Sequence, residues 1–210
     1  MTRNKTSLSR VVFALAAATS LSSFSAFAAP DEHSRAKALS TLETLINQRT
    51  TSVSKVEEKA SQAPAAVFVI TAEDIRRSGA TSIAEVLRYA PGINVARSRS
   101  SGWAVTSRGF NDQFANKMLV VIDGRSVYTP IFAGVYWDEQ VQMLDTIERI
   151  EIIRGPAGTL WGANAVNGVI NIITKEAKDT QGNYAEAIVG NSEMEQGYRY
   201  GGEYADGRVQ

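Results

Sequence analysis

Few residues in this chain are of a type that could carry out covalent chemistry. The sequence has one histidine, His33, and no cysteine, so a Ser–His–Asp triad has no base in a folded region and a thiol nucleophile is excluded. The same counts rule out a His-rich metal cluster and any disulfide. Glu148 and Glu151 stand three apart in a β-branched run, a spacing that turns two strand side chains to opposite faces. They therefore do not form a paired acid and base, and structural ion pairing is the expected role. No glycine-rich stretch has the spacing of a phosphate-binding P-loop. Lysine plus arginine and aspartate plus glutamate balance at 22 each, so nothing favours a nucleic-acid partner. Two charges remain of interest, Arg108 and Arg154. Each sits at an expected strand end just before a glycine, in Arg108-Gly109-Phe110 and Arg154-Gly155-Pro156.

Those two arginines need strands to place them. Ile147 to Ile153 is rich in isoleucine with charges between, the composition of a strand in partly polar surroundings. Gly155-Pro156 stops it, because proline has no N–H for a ladder. A short ordered loop and an apolar strand, Val169 to Thr174, follow. Upstream, Ala66 to Thr71 reads as a strand and Thr71 as an N-cap with Asp74 at N3, opening a helix over Ala72 to Ser78 that Gly79 closes. Thr81 or Ser82 caps a second helix, with Ile83, Val86 and Leu87 on one face, and Pro91-Gly92 ends it. Strands are expected at Ile93 to Ala96, Trp103 to Phe110 and Met118 to Ile122. Asp123-Gly124 then turns the chain back into Arg125 to Tyr128.

The run Glu148-Arg149-Ile150-Glu151-Ile152-Ile153-Arg154-Gly155-Pro156, followed by Trp161-Gly162 and by Asn167-Gly168-Val169-Ile170-Asn171-Ile172-Ile173-Thr174-Lys175, resembles the signature of the plug domain of TonB-dependent outer-membrane receptors. The order Val67-Phe68-Val69-Ile70-Thr71, then Ala80-Thr81-Ser82-Ile83, then Ala90-Pro91-Gly92-Ile93, is similar to the start of such a plug. Thr159, Trp161 and Asn167 depart from the commoner residues and bear on local loop geometry. The resemblance implies an α+β plug with a small mixed β-sheet and short helices over 64–175, followed over 176–210 by the first strands of an outer-membrane β-barrel. It implies a transport gate, with no enzymatic activity, no cofactor and no resident metal. It also implies that Arg108 and Arg154 lock the plug to glutamates on the inner barrel wall.

Residues 1–28 read as a signal peptide: Arg3, Lys5 and Arg10, a short apolar core from Val11 to Ala18, and a small-x-small site at Ala26-Phe27-Ala28. Export into the bacterial envelope follows, and the resemblance implies residence at the outer membrane. Residues 29–63 read as a periplasmic arm. Leu39, Leu42, Leu45 and Ile46 have helical spacing, compatible with a short amphipathic helix or a fraying segment. Thr50 to Ala63 is small and polar and reads as a linker. In the family this arm carries the TonB box, an extended segment that adds edge-on to a strand of TonB; Thr51, Ser52, Val53, Ser54, Lys55 and Val56 have that character.

The family's outward-facing plug loops form the floor of the substrate site. By order along the chain these are Arg97 to Trp103 and Tyr128 to Trp137, which offers Arg97, Arg99, Trp103, Tyr128, Phe132, Tyr136 and Trp137 as ligand contacts. The same rings could instead pack within the plug or against a barrel. Beyond Lys175, Tyr184 to Val189 and Tyr198 to Tyr204 alternate, with Tyr198, Tyr200 and Tyr204 on one face and Arg199 and Glu203 on the other. At roughly 9–11 residues per membrane strand, this stretch holds about two or three strands, short of the eight or so that close a barrel. The chain is thus expected to be the N-terminal part of a longer receptor or a truncated product, and the resemblance implies uptake of a scarce nutrient such as a ferric siderophore with energy from TonB and its inner-membrane complex. The alternative is a free-standing periplasmic plug-like binding module without transport.

Overall fold

A computed structural model describes residues 37, 39–44, 47–52, 58–59, 65–99, 102–109, 111–190, 194–204 and 207–209. The chain divides into two units, Met1–Leu45 and Ile46–Gln210. In the first, residues 39–44 are helical and exposed, with the Thr41 and Thr44 hydroxyls donating to the carbonyls of Lys37 and Ser40. The expected signal peptide lies outside the described residues.

The second unit is organised by a five-stranded mixed sheet. Its strands are β3 (Ala66–Thr71), β8 (Ile147–Arg154), β9 (Gly168–Thr174), β6 (Met118–Ile122) and β7 (Arg125–Ser126), in that spatial order. β8 runs antiparallel to both β3 and β9, and β9 runs parallel to β6. Two further strands, β4 (Ile93–Arg97) and β5 (Trp103–Ser107), pair with each other. The helices are short: α1 (Ala72–Ser78), α2 (Ile83–Val86) and α3 (Gly158–Trp161). The expected small mixed sheet with short helices is what forms.

Local chemistry explains these boundaries. Thr71 accepts the Asp74 backbone N–H while Asp74 takes the Thr71 N–H, a reciprocal capping box that starts α1. Gly79 ends it in the left-handed region at φ 66°. Asp123 (φ 49°) and Gly124 (φ 79°) turn β6 into β7, and the Asp123 carboxylate accepts the backbone N–H and hydroxyl of Thr174, tying this hairpin to the end of β9. β5 is shorter than its expected strand, because Arg108 already enters the left-handed region at φ 60°.

Both faces of the sheet are covered. On one, Ile70, Ile150, Ile152, Ile170 and Ile172 pack with Ile83, Val86 and Leu87 and with Trp103 and Trp137. On the other, Leu119, Val121, Ile153 and Val169 form a smaller cluster with Ala165, flanked by Val67 and Trp161. Burial on both faces is why β8 reads as a run of isoleucines rather than a clean alternation.

Two findings were not expected from the sequence. The 155–167 connection contains a helical turn, α3. The arm is not simply a linker: β1 (Arg49–Thr50) pairs antiparallel with β2 (Glu58–Lys59), and Thr50 and Ser52 are fully buried. Beyond Lys175, β10 (Gly182–Val189), β11 (Met194–Tyr204) and β12 (Gly207–Val209) make an antiparallel sheet. Its burial alternates, with Tyr184, Glu186 and Ile188 to one side and Tyr198 and Tyr200 exposed on the other.

Candidate functional site

Three groups of residues carry the chemistry of this fold. The first is the arginine pair. Arg154 leaves the end of β8 and donates Nη1 to the Pro91 carbonyl at 3.3 Å, while its buried Nε has no partner. The side chain runs against Gly92, where a Cβ would lie 3.6 Å from Arg154 Cδ. Arg108 is exposed at the end of β5, and its Nη2 lies 3.6 Å from where a Gly155 Cβ would be. The fold therefore sets Arg154 against Gly92 and Arg108 against Gly155, the residue that follows Arg154. Among the described residues, no carboxylate pairs with either. Asn167, one of the departures from the family pattern, holds this region together: its Nδ2 donates to the Ser107 carbonyl at 2.9 Å, and its own carbonyl accepts the Gly155 N–H at 3.0 Å.

The second group surrounds Glu151, in the middle of β8 on the face away from α1 and α2. Its Oε2 accepts from Thr50 Oγ1 (2.7 Å), Thr51 N (2.9 Å), Ser52 N (2.9 Å) and Ser52 Oγ (2.5 Å). Its Oε1 pairs with Arg149 Nε at 2.7 Å. Burial alone would push this carboxyl up; the hydroxyls of Ser52 and Thr50, the Arg149 guanidinium and the Thr51 amide outweigh it and hold the group below the usual carboxylate range. Asn171, the register partner of Glu151 on β9, donates Nδ2 to Ser52 Oγ at 3.0 Å. Trp161 Nε1 donates to the Ser52 carbonyl at 2.7 Å. Thr51 and Ser52 of the expected TonB-contact stretch are thus docked on the sheet; Val53, Ser54, Lys55 and Val56 lie outside the described residues. Glu151 is an ion-pair partner, as the sequence suggested, but its main role toward the arm was missed. The available signal was a carboxylate set directly between isoleucines, Ile150 and Ile152.

The third group is the loop cluster. Phe132 stacks edge-on with Phe114 (centroids 4.9 Å apart) and with Tyr136 (4.8 Å). Tyr128 donates its hydroxyl to the Met118 carbonyl, and burial pushes its pKa up to about 12. Trp103 and Trp137 are 7% and 8% exposed and belong to the main core. Arg97 and Arg88 lie 5.1 Å and 5.3 Å from the Trp103 ring centroid, a cation–π arrangement. Arg97 and Arg99 are exposed, whereas Phe132 and Tyr136 are half-buried. Among the described residues, no group of three or more His, Cys, Asp or Glu side chains could hold a metal ion.

Comparison with known proteins bears on all three groups, which lie in or against the matched region. Residues 59–169 match the model of the TonB-dependent Receptor Plug Domain. The chain is 36% identical over 149 residues to the ferric enterobactin receptor of Pseudomonas aeruginosa, covering 63% of this chain and 19% of that protein. It is 32% identical over 139 residues to the vitamin B12 transporter BtuB of Vibrio vulnificus, covering 65% of this chain and 22% of the relative. Among solved structures, the ferric-catecholate import receptor Fiu of E. coli K12 in its open form superposes with a TM-score of 0.50 at 26% identity, over 68% of this chain and 19% of that one. The chain therefore spans about a fifth of the length of these relatives. A mixed sheet flanked by short helices and a family match across more than half its length place this chain in the TonB-dependent receptor plug domain family.

Proposed function

We propose that this chain is the gate of an outer-membrane receptor that takes up a scarce nutrient actively, with a ferric siderophore as the cargo and cobalamin as its rival. The observation that carries this reading is the arginine pair. Arg154 keeps a buried Nε without a partner, and Arg108, in a left-handed conformation, reaches the Gly155 that follows it in the chain. Such a cost is offset if a barrel wall brings carboxylates to both guanidiniums, in forked pairs of defined geometry. The ferric enterobactin receptor of P. aeruginosa, 36% identical here, lends weight to the siderophore reading.

The remaining assignments follow from this reading. Residues 1–28 act as the cleaved leader, 29–63 as the periplasmic arm, 64–175 as the plug and 176–210 as the opening strands of the barrel. The outward tyrosines of β11 suit the lipid side of those strands. Arg97, Arg99, Tyr128, Phe132 and Tyr136 form the floor of the ligand site, where exposed guanidiniums attract an anionic ferric chelate. Trp103 and Trp137 support that floor from beneath and contribute ring faces at most at its edge. Residues 51–56 meet TonB, which is driven by its inner-membrane complex.

The test is growth and uptake by the intact receptor. A deletion strain given ferric siderophore as sole iron source should grow only with the receptor and TonB both present. Growth that is independent of either would overturn the reading, and uptake of cobalamin instead would reassign the cargo.

A further inference from the structure

Glu151 is 0% exposed, and neither the lock nor the ligand floor uses it. A carboxylate taken out of water must be compensated by hydrogen bonds or a counter-charge. The compensation is divided between its two oxygens. Oε1 belongs to the sheet through Arg149, whereas Oε2 is given entirely to Thr50, Thr51 and Ser52 of the arm. Ser52 is gripped twice more, by Asn171 of β9 on its hydroxyl and by Trp161 of α3 on its carbonyl. The arm is held by polar and backbone groups, and almost all of the bonds end on three residues.

The geometry of the two backbone donors is decisive. The N–H groups of Thr51 and Ser52, neighbours in sequence, converge on the same oxygen at 2.9 Å each. Consecutive amides converge in this way in a nest-like turn; in an extended strand they point to opposite sides. A partner strand adding to the arm's edge needs the extended form. The docked arm and a strand-paired arm are therefore mutually exclusive states of the same residues.

We propose that Glu151, assisted by Asn171 and Trp161, is a latch that stores Thr50–Ser52 on the plug, and that a partner strand must displace this carboxylate before it can pair with Thr51 and Ser52. The partner half of the inference rests on the transport reading above, in which that strand belongs to TonB. The latch is a two-state element: undocking leaves Glu151 with Arg149 alone and opens the sheet's second face to water. Displacement from the arm side is thus coupled to loosening of the plug beneath it.

Amide hydrogen exchange of the whole chain, and binding of the purified periplasmic domain of TonB to it, test the proposal together. Glu151→Gln keeps the shape and removes the charge. Ser52→Ala weakens the latch from the arm and leaves the sheet untouched, which guards against a folding defect in the first variant. In both, exchange at Thr51 and Ser52 should quicken by roughly ten- to a hundredfold, the worth of one charge-assisted hydrogen bond, and TonB affinity should rise in the same direction. Trp161 emission should shift to the red as its donor to Ser52 is released. Unchanged exchange in both variants overturns the latch. Faster exchange with unchanged TonB affinity overturns the competition. Faster exchange with no TonB binding by any form sinks the transport reading and upholds the latch.

Discussion

Asn167 donates its side-chain amide to the carbonyl of Ser107 at 2.9 Å, across 60 positions of sequence. Ser107 is the last residue of β5, and its neighbour Arg108 is held at φ 60°. The bond therefore fixes the point from which the exposed arginine of the pair departs. Asn167→Ala leaves a partly buried carbonyl without its donor and should cost about 1 kcal/mol of stability in denaturant unfolding. Asn167→Asp should cost more, since a carboxylate would face a carbonyl oxygen.

Arg154 makes a different prediction in the chain and in the intact receptor. Within the described residues its side chain's only hydrogen bond is to the Pro91 carbonyl, and its buried Nε is unpaired. Arg154→Leu should therefore shift the stability of the chain by less than about 1 kcal/mol, in either direction. In the receptor the same change would strand the proposed glutamate partner and cost roughly 3–5 kcal/mol of plug–barrel coupling. Comparing denaturation of the chain with retention of the plug in the receptor checks this. Large destabilisation of the chain alone would argue that Arg154 serves the plug itself.

Much of the plug was legible because its signals are local. The capping box at Thr71 and Asp74 and the left-handed Gly79 lie within one helical turn of what they control, and Asp123-Gly124 sits between the strands it joins. The docking of the arm was not legible. Thr50, Thr51 and Ser52 are small and polar, which is the composition of a linker, and their partner Glu151 lies about a hundred positions away. Hydrogen bonding to a buried charge has no periodicity to detect. The tryptophans were ambiguous for another reason: a large ring in a loop suits a core and a ligand site equally well, and only the packing of Trp103 and Trp137 against the isoleucine face separates the two.

Val53→Pro separates pairing with the partner from storage of the arm. Proline has no N–H and resists a ladder position, so strand addition across residues 51–56 should weaken, with TonB affinity falling about tenfold or more. The latch donors are Thr50, Thr51 and Ser52, so exchange protection at Thr51 and Ser52 should be kept. Loss of protection together with affinity would mean that the proline disturbed docking. Unchanged affinity would move the contact stretch elsewhere along the arm.

Glu151 also makes the latch sensitive to acid. Its carboxyl sits below the ordinary glutamate range in the folded chain, despite burial acting in the opposite direction. A depressed native value means that the unfolded or undocked form binds the proton more readily. The contribution to docking is thus complete above the ordinary glutamate range and is lost as pH falls through the native value. Arg149, facing Glu151 from the same strand and also paired with Glu148, keeps its charge throughout this range; Thr50, Ser52, Asn171 and Trp161 do not titrate there. Arm exchange and Trp161 emission, followed from about pH 7 down to about pH 3, should show undocking at the acid end. In Glu151→Gln the same signals should start in the undocked direction and stay flat. A wild-type arm that remained protected at the acid end would mean that neutral hydrogen bonds are enough to hold it, and that the charge on Glu151 is not what fastens Ser52 to the plug.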